Sequence, residues 1–570
     1  MQASEYPGVG FQKKRQMPNN LFRRKTIDSI LQDAYNKSAD HEAHGLKRVL
    51  SLRDLTFFGI AAIIGAGSFS ALGPAIYNGG PGVSILFVLC GIACAFTALC
   101  YSDFASRIPV AGSAYTYAYA SLGEIVAWII GWALLMEYAI GNVYVAFSWS
   151  DYFTSLLSRL HVPLPEFLTC SYSEAAGSSR ADLVRAWESA PQVGGLRLIV
   201  DLPALVINAL ITWLVYIGIR ESRNFSNVMV MMKLSIIALI LLITGYLIFH
   251  NGLTYNWTPP NAAGEHSFFP NQFSGVMKAV SGVFFAYIGF DAVSILAEES
   301  KNPQRDLPRG MILSLVICTI IYILLSLALT GVVPYDRFMN VNDPLAFIFE
   351  PQNLNIGWMQ FIVAVCAVIA MSSVMLVMQM GQPRIWMSMS RDGLMPAAFQ
   401  KIHPKYKTPH IATLMTGLVV GSMIVLSNSR FVLDFTSTGT LFAFVIVCAG
   451  VLFLPRKKKT PGQFHMPYWN GKYVYPLLVL GGFVAFAIFN WSALFGHVPT
   501  ILFWLICGAL AVLTFLKNLS MIPLMGLTSC LYLLTGIQES NWKWFFIWFG
   551  VGLVVYGVGR LNQDFKDKKD

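Results

Sequence analysis

Charge is scarce in this sequence: Asp, Glu, Lys and Arg make up 12% of 570 residues, about half of the roughly 25% usual in soluble domains. That shortage excludes an ordinary water-soluble globule. Histidine is confined to loops, tails and span ends, at His41, His44, His161, His250, His266, His403, His410, His465 and His497. No His-Glu-x-x-His helix or buried imidazole cluster therefore offers a metal. Neither a glycine-rich phosphate loop nor a nucleophile elbow is present. The nine cysteines form no Cys-x-x-Cys pair, and all but Cys170 fall in apolar stretches, which leaves no redox motif and no pair placed for an extracellular disulfide. The first 50 residues lack the apolar core of a cleavable signal peptide, so the first apolar span must itself direct insertion. These absences argue against an enzyme, a metal centre and a bound cofactor.

What the chain has instead is apolar length: 55% hydrophobic residues and a mean hydropathy of +0.57. A bilayer core of about 30 Å asks for roughly 20 apolar residues per helix. On that measure about fourteen spans are expected, near 55–77, 82–102, 121–155, 199–218, 225–249, 272–299, 311–333, 356–390, 410–427, 431–454, 473–494, 498–516, 519–537 and 543–560. The formal net charge of +10 does not mark a nucleic-acid partner, because the basic residues cluster between spans. With the N-terminus cytoplasmic, that side collects the basic N-terminal segment, Lys301, Arg305, Arg309, Arg391, Lys401, Lys405, Lys407, Arg456 to Lys459 and the final lysines. An even number of spans with both termini inside follows. The longest external loop, about 159–197, is expected to hold a short helix over Ala181–Ser189, and Thr26–Lys37 an amphipathic one on the membrane surface or the bundle.

Two spans carry features that an uninterrupted membrane helix would avoid. The first reads GIAAIIGAGSFSALG, with Gly65, Gly67, Ser68 and Ser70 deep in the apolar run. The sixth reads SGVFFAYIGFDAVSILAEES, where Gly289 precedes an ionisable Asp291. Glycine and serine also serve close helix packing, and Asp291 could cap a half-helix. Spans one and six are five apart, however, the separation that an inverted five-helix repeat gives to two helices broken near the midplane. A break frees N–H groups at one new end and C=O groups at the other. The first attract a carboxylate and the second an ammonium, a combination that suits the backbone of an amino acid.

Other charges lie deep. Lys233 stands about nine residues into span five, roughly 13 Å at 1.5 Å per residue. It needs a buried partner or must shed its proton, which makes it a candidate proton carrier, with a snorkelling or carbonyl-satisfied lysine as the alternative. Glu137 in span three could face a substrate cation or a proton, or tie its helix to a neighbour. Ser372 and Ser373 in span eight could turn toward Lys233 or bond back to their own helix.

Three stretches resemble a known family: IIGAG at Ile63–Gly67, FFAYIGFDAV at Phe284–Val293 with EESKNPQRDLPRG at Glu298–Gly310, and GQPRIWMSMSRDGLMP at Gly381–Pro396. They are similar to the cationic amino acid transporter branch of the amino acid, polyamine and organocation (APC) superfamily, over a region from about Leu46 to the C-terminus. The resemblance implies an all-α integral membrane protein of LeuT-type fold. In that fold residues 1–50 form a cytoplasmic segment, 51–455 a ten-helix core of two inverted repeats (about 51–250 and 270–455), 456–560 four additional helices and 561–570 a cytoplasmic tail. It implies a substrate carboxylate on the amides of Gly65, Ala66 and Gly67, and an ammonium on the carbonyls of Ile63, Phe285, Ala286 and Ile288. Glu137 would lie near the side-chain pocket, and Lys233 with Ser372 and Ser373 would occupy the place of a coupling ion. Relatives commonly have GTGIF or GAGIF where this chain has GAGSF, so Ser68 and Ala66 leave the side-chain preference open. The expected activity is proton-coupled amino acid transport across a plasma or bacterial inner membrane. An obligate exchanger with Lys233 as a fixed cation, and a transporter-like sensor, are the alternatives.

Overall fold

The computed structural model describes residues 24–25, 50–108, 113–218, 223–261, 264–406, 408–453, 463–489, 498–537 and 539–567. The segment Thr26–Lys37 and the basic run Arg456–Lys459 lie outside these residues, as do the side chains of Glu298 and Glu299. A helix occupies each of the fourteen apolar segments, and nine helical stretches among the described residues are long and apolar enough to cross a membrane.

The first segment is made of two pieces. Ser51 caps α1 (Leu52–Ile63) through a reciprocal bond with Asp54, the device that satisfies two free amides at once. The helix ends at Ile64, whose ψ of 98° is extended. A π-type turn over Gly67–Ala71 then leads into α2 (Leu72–Gly79). Next come α3 (Val83–Arg107), α4 (Ser113–Ser121) and α5 (Glu124–Arg159). The loop that follows holds the helix expected over Ala181–Ser189, here α6, and a two-residue hairpin of β1 (Gln192–Val193) with β2 (Leu196–Arg197). Asp201 caps α7 (Leu202–Ile217), and α8 (Arg223–His250) completes the first half.

The sixth segment is broken too. Helices α9 (Gln272–Lys278) and α10 (Val280–Phe285) stop at a turn closed by Gly289 in the left-handed region, φ 112°, and a 3-10 stretch runs over Phe290–Glu299. Then follow α11 (Pro303–Val332), α12 (Gly357–Arg391), α13 (His410–Leu426) and α14 (Ser429–Phe453). The last four helices are α15 (Val474–Phe489), α16 (Val498–Lys517), α17 (Met521–Thr535) and α18 (Glu539–Asp567).

Segments five apart in sequence pack on one another: the first on the sixth, α3 on α11, α5 on α12 and α7 on α13. That pairing brings the two breaks together at the centre. The most apolar window of the sixth segment is wholly buried, whereas 17% of that window is buried in α16 and in α18, so the broken segments form the core and the last helices its rim.

Candidate functional site

The geometry at the breaks explains their glycines. A Cβ on Gly67 would stand 2.3 Å from the Cα of Ala286, and one on Gly65 would stand 2.5 Å from a Val374 methyl on α12. Only a bare backbone lets the first segment lie against the sixth and against α12. Because Ile64 leaves the helical region, the amides of Gly65, Ala66 and Gly67 find no acceptor among the described residues. Across the contact, the carbonyls of Ala286 and Ile288 receive no donor among the described residues. The other two carbonyls expected for an ammonium are engaged: Ile63 accepts from the Tyr322 hydroxyl at 2.8 Å, and Phe285 from the Ile288 amide at 3.1 Å.

Lys233 is fully buried and donates to the carbonyls of Ala61 at 3.2 Å and Ile64 at 3.1 Å. Its ammonium thus takes up acceptors that the end of α1 releases. Ser372 and Ser373 do not meet it. Ser372 donates to Val368 and accepts the Trp149 indole, and Ser373 donates to Ala370. Of the two fates open to these serines, α12 takes the local one, because a hydroxyl on a helix finds the carbonyl one turn back without reorganising anything.

Glu137 and Asp291 share a small cavity of about 10 Å³ with Ala62, Ile288, Gly289 and Met378, at the limit of one water. Asp291 lies in the first turn after the break; among the described residues neither carboxylate oxygen meets a well-aligned donor, though the amides of Gly289, Asp291 and Ala292 stand beside it. Oε2 of Glu137 is likewise unpaired. The acidic pair therefore sits directly against Gly289, apart from the large cavity described next.

That cavity, of about 1030 Å³, opens at the end of the bundle bearing the 159–197 loop, and Ser70, Asn78, Tyr144, Asp151, Glu174 and Asp434 are among its lining residues. Its lining approaches the two breaks through Ser70, three residues after Gly67, and through Ser281 and Gly282, within five residues of Ala286, and these together with Tyr144 define its floor. The Tyr144 ring meets Phe285 edge-on, centroids 4.7 Å apart, between the floor and the break. A smaller neighbouring cavity is lined by Asp343 and Glu350. Burial, with Glu350 alongside, pushes Asp343 up to about 7 against the opposing pull of Arg159. The opposite end of the bundle is fastened: Lys25 donates to Asp392 at 2.6 Å, and the Tyr115 hydroxyl takes the other Asp392 oxygen at 2.8 Å.

Tyr322, Tyr144, Val374 and Asp434 were not singled out by the sequence. A tyrosine inside an apolar helix is a weak signal, since its ring alone explains its burial, and Asp434 lies too near a helix start to stand out from a rim charge.

Known proteins match this arrangement along most of the chain. The profile of the amino acid permease family covers residues 50–512. The chain is 39% identical to the branched-chain amino acid permease BcaP of Bacillus subtilis (strain 168), over 86% of this chain and 97% of that one. It is 34% identical to the methylthioribose transporter of the same organism, over 94% and 97%. To the vacuolar cationic amino acid transporter 4 of Arabidopsis thaliana it is 35% identical, over 76% of this chain and 67% of that protein. The broken-helix pair at the centre of this bundle is thus that of a permease, and the chain belongs to the amino acid permease family of the APC superfamily, with its LeuT-type fold.

Proposed function

We propose that this chain carries amino acids across a cell membrane by alternating access, binding the substrate through the backbone at its two breaks. One observation carries the reading: among the described residues three consecutive amides, Gly65 to Gly67, are unpaired where the first segment packs against Ala286 of the sixth, and the carbonyls of Ala286 and Ile288 are unpaired there too. Unpaired peptide groups in a dry site are expensive, and a zwitterion satisfies both sets. The vestibule supplies the access route, Tyr144 and Phe285 the barrier at its floor, and the Lys25–Asp392 contact the closed opposite end. By the distribution of Lys and Arg, both termini are cytoplasmic and the vestibule faces outward. Residues 51–455 form the transport core and 456–560 the additional helices.

In this reading a proton drives accumulation through Lys233. One charge crossing 100 mV supplies about 2.3 kcal/mol, roughly 50-fold in concentration. With Lys233 neutral, its two carbonyl contacts weaken and α1 is freer to tilt. In proteoliposomes Lys233→Ala should abolish pH-driven accumulation; undiminished concentrative uptake would refute the proton assignment. A second reading has its own support. An ammonium held by both Ala61 and Ile64 is also what a fixed brace requires, and the chain would then be an exchanger. Counterflow without a pH gradient separates the two, since an exchanger needs substrate on the far side. The relatives' names span branched-chain amino acids, cationic amino acids and methylthioribose, so a competition panel drawn from all three classes identifies the cargo.

A further inference from the structure

The last helix, α18, lies beyond the residues that the family profile covers, which end at 512. One of its side chains nevertheless bonds to a residue of the vestibule wall. Asn541, 3% exposed, donates from Nδ2 to Oδ2 of Asp434 at 3.2 Å. Asp434, on α14, is 8% exposed and lines the large cavity. Its carboxylate also stands beside the Ser281 hydroxyl of α10, with Arg430 as a further charged neighbour. Ser281 precedes Phe285 by four residues, one turn on the same helical face. Asp434 is therefore a carboxylate one turn above the aromatic floor.

The donor comes from a helix that is firmly held. Trp132 on α5 and Trp548 on α18 each donate an indole N–H to the other's carbonyl, at 2.9 and 3.3 Å, and Trp128 donates to Gly552 at 3.0 Å. A Cβ on Gly552 would stand 2.5 Å from the Trp132 ring, so the two helices meet without slack. The Tyr556 hydroxyl closes the far end on Glu124 at 2.7 Å. A side chain projecting from a locked element fixes its partner more sharply than one from a loop.

We propose that Asn541 is a positioning residue for transport. It holds the Asp434 carboxylate toward the vestibule floor, where the ammonium of an incoming substrate makes its last charged contact before the carbonyls of Ala286 and Ile288. The proposal rests on the transport reading above and adds to it a functional part outside the ten-helix core.

The test is initial-rate uptake in oriented proteoliposomes, with substrate presented to each face in turn. Losing a hydrogen bond to a charged group corresponds to a change of about tenfold or more. Asn541→Ala should raise KM about tenfold for substrate arriving at the vestibule with the maximal rate from that face held within about twofold; from the opposite face KM should stay unchanged and the maximal rate fall about tenfold, because the ratio of Vmax/KM in the two directions is fixed by the driving force. Asp434→Asn should give the same one-sided rise, and the double variant no more than either single one, as expected of residues acting as a unit. Asn541→Asp keeps the shape but withdraws the donor, and should raise the same KM no further than Asp434→Asn does. If Asn541→Ala fails to insert, Asn541→Asp and Asp434→Asn carry the same one-sided comparison. An equal rise of KM at both faces, a loss of maximal rate from the vestibule face with its KM unchanged, or additive effects in the double variant would overturn the proposal. If the unsubstituted chain takes up nothing from either face, the transport reading itself falls and takes this one with it; a missing one-sided effect in an active transporter overturns the Asn541 assignment alone.

Discussion

A single hydrogen atom decides whether the two breaks can touch. Gly67 has Ala286 backbone where its Cβ would be, and backbone cannot swing aside as a flexible side chain can. Gly67→Ala should force the segments apart, with an overpacking penalty of about 1–3 kcal/mol concentrated on the amides that would hold the substrate. Binding of labelled substrate to detergent-solubilised protein should drop below detection while the variant still elutes as a folded monodisperse species. Gly508→Ala, on α16 with nothing within 4 Å, is the control and should bind normally. The glycines at 65 and 67 were legible in the sequence as a break, and not only as close packing, because Gly289 and Asp291 stand in the segment five spans on. Which backbone each one admits was not, since that depends on a segment more than 200 residues away. The same distance hid Tyr322, whose hydroxyl returns to Ile63 across 259 positions.

Helices and their ends were the most legible part of the chain. A helix lies in each apolar stretch that length alone picked out, nine of the helical stretches among the described residues being long and apolar enough to cross a membrane, and local polarity located α6 at its observed bounds. What local pattern could not give was the environment of connecting pieces such as the short helix Pro344–Phe347, preceded by Asp343. In sequence Asp343 is an ordinary loop carboxylate; in the fold it is half-buried next to Glu350 and rises to about 7. The unfolded chain holds this group near 3.9. Between roughly pH 4 and 7 the folded state therefore binds more protons than the unfolded one, and stability falls as pH rises through that window. The group's contribution is fully present below pH 4 and is lost above about 7. Asp343→Asn should flatten this part of the pH dependence, so its melting temperature should exceed that of the unsubstituted chain at pH 8 and match it near pH 4. A constant offset at both pH values would mean that Asp343 does not titrate in this window.

Taken whole, the bundle is asymmetric along its axis: a cavity of about 1030 Å³ at one end, an ion pair at the other. Sequence spacing yields the paired breaks but not this asymmetry, because which end is closed is a property of the conformer and not of any one segment. The fastening at the closed end joins Lys25, ahead of the first helix, to Asp392 at the end of α12, and their side chains are 21% and 18% exposed. Partial burial and a second bond from Tyr115 make the contact stronger than a surface pair. If the two ends open in alternation, loosening this contact must shift molecules toward the conformer whose vestibule is shut. A loss of about 1–2 kcal/mol moves the ratio roughly 5- to 30-fold. The reporter is a cysteine at Asn78 on the vestibule wall, labelled by a membrane-impermeant thiol reagent in intact vesicles. Native thiols leave the background low: all nine cysteines are buried, and burial pushes the Cys170 thiol, the one on that wall, up to about 12, where little thiolate forms at neutral pH. Labelling of Asn78→Cys follows the fraction of molecules with the vestibule open, so Asp392→Asn should slow it by at most that factor, and Lys25→Ala should do the same. Labelling that stays constant or speeds up would mean the Lys25–Asp392 contact does not govern which end is open.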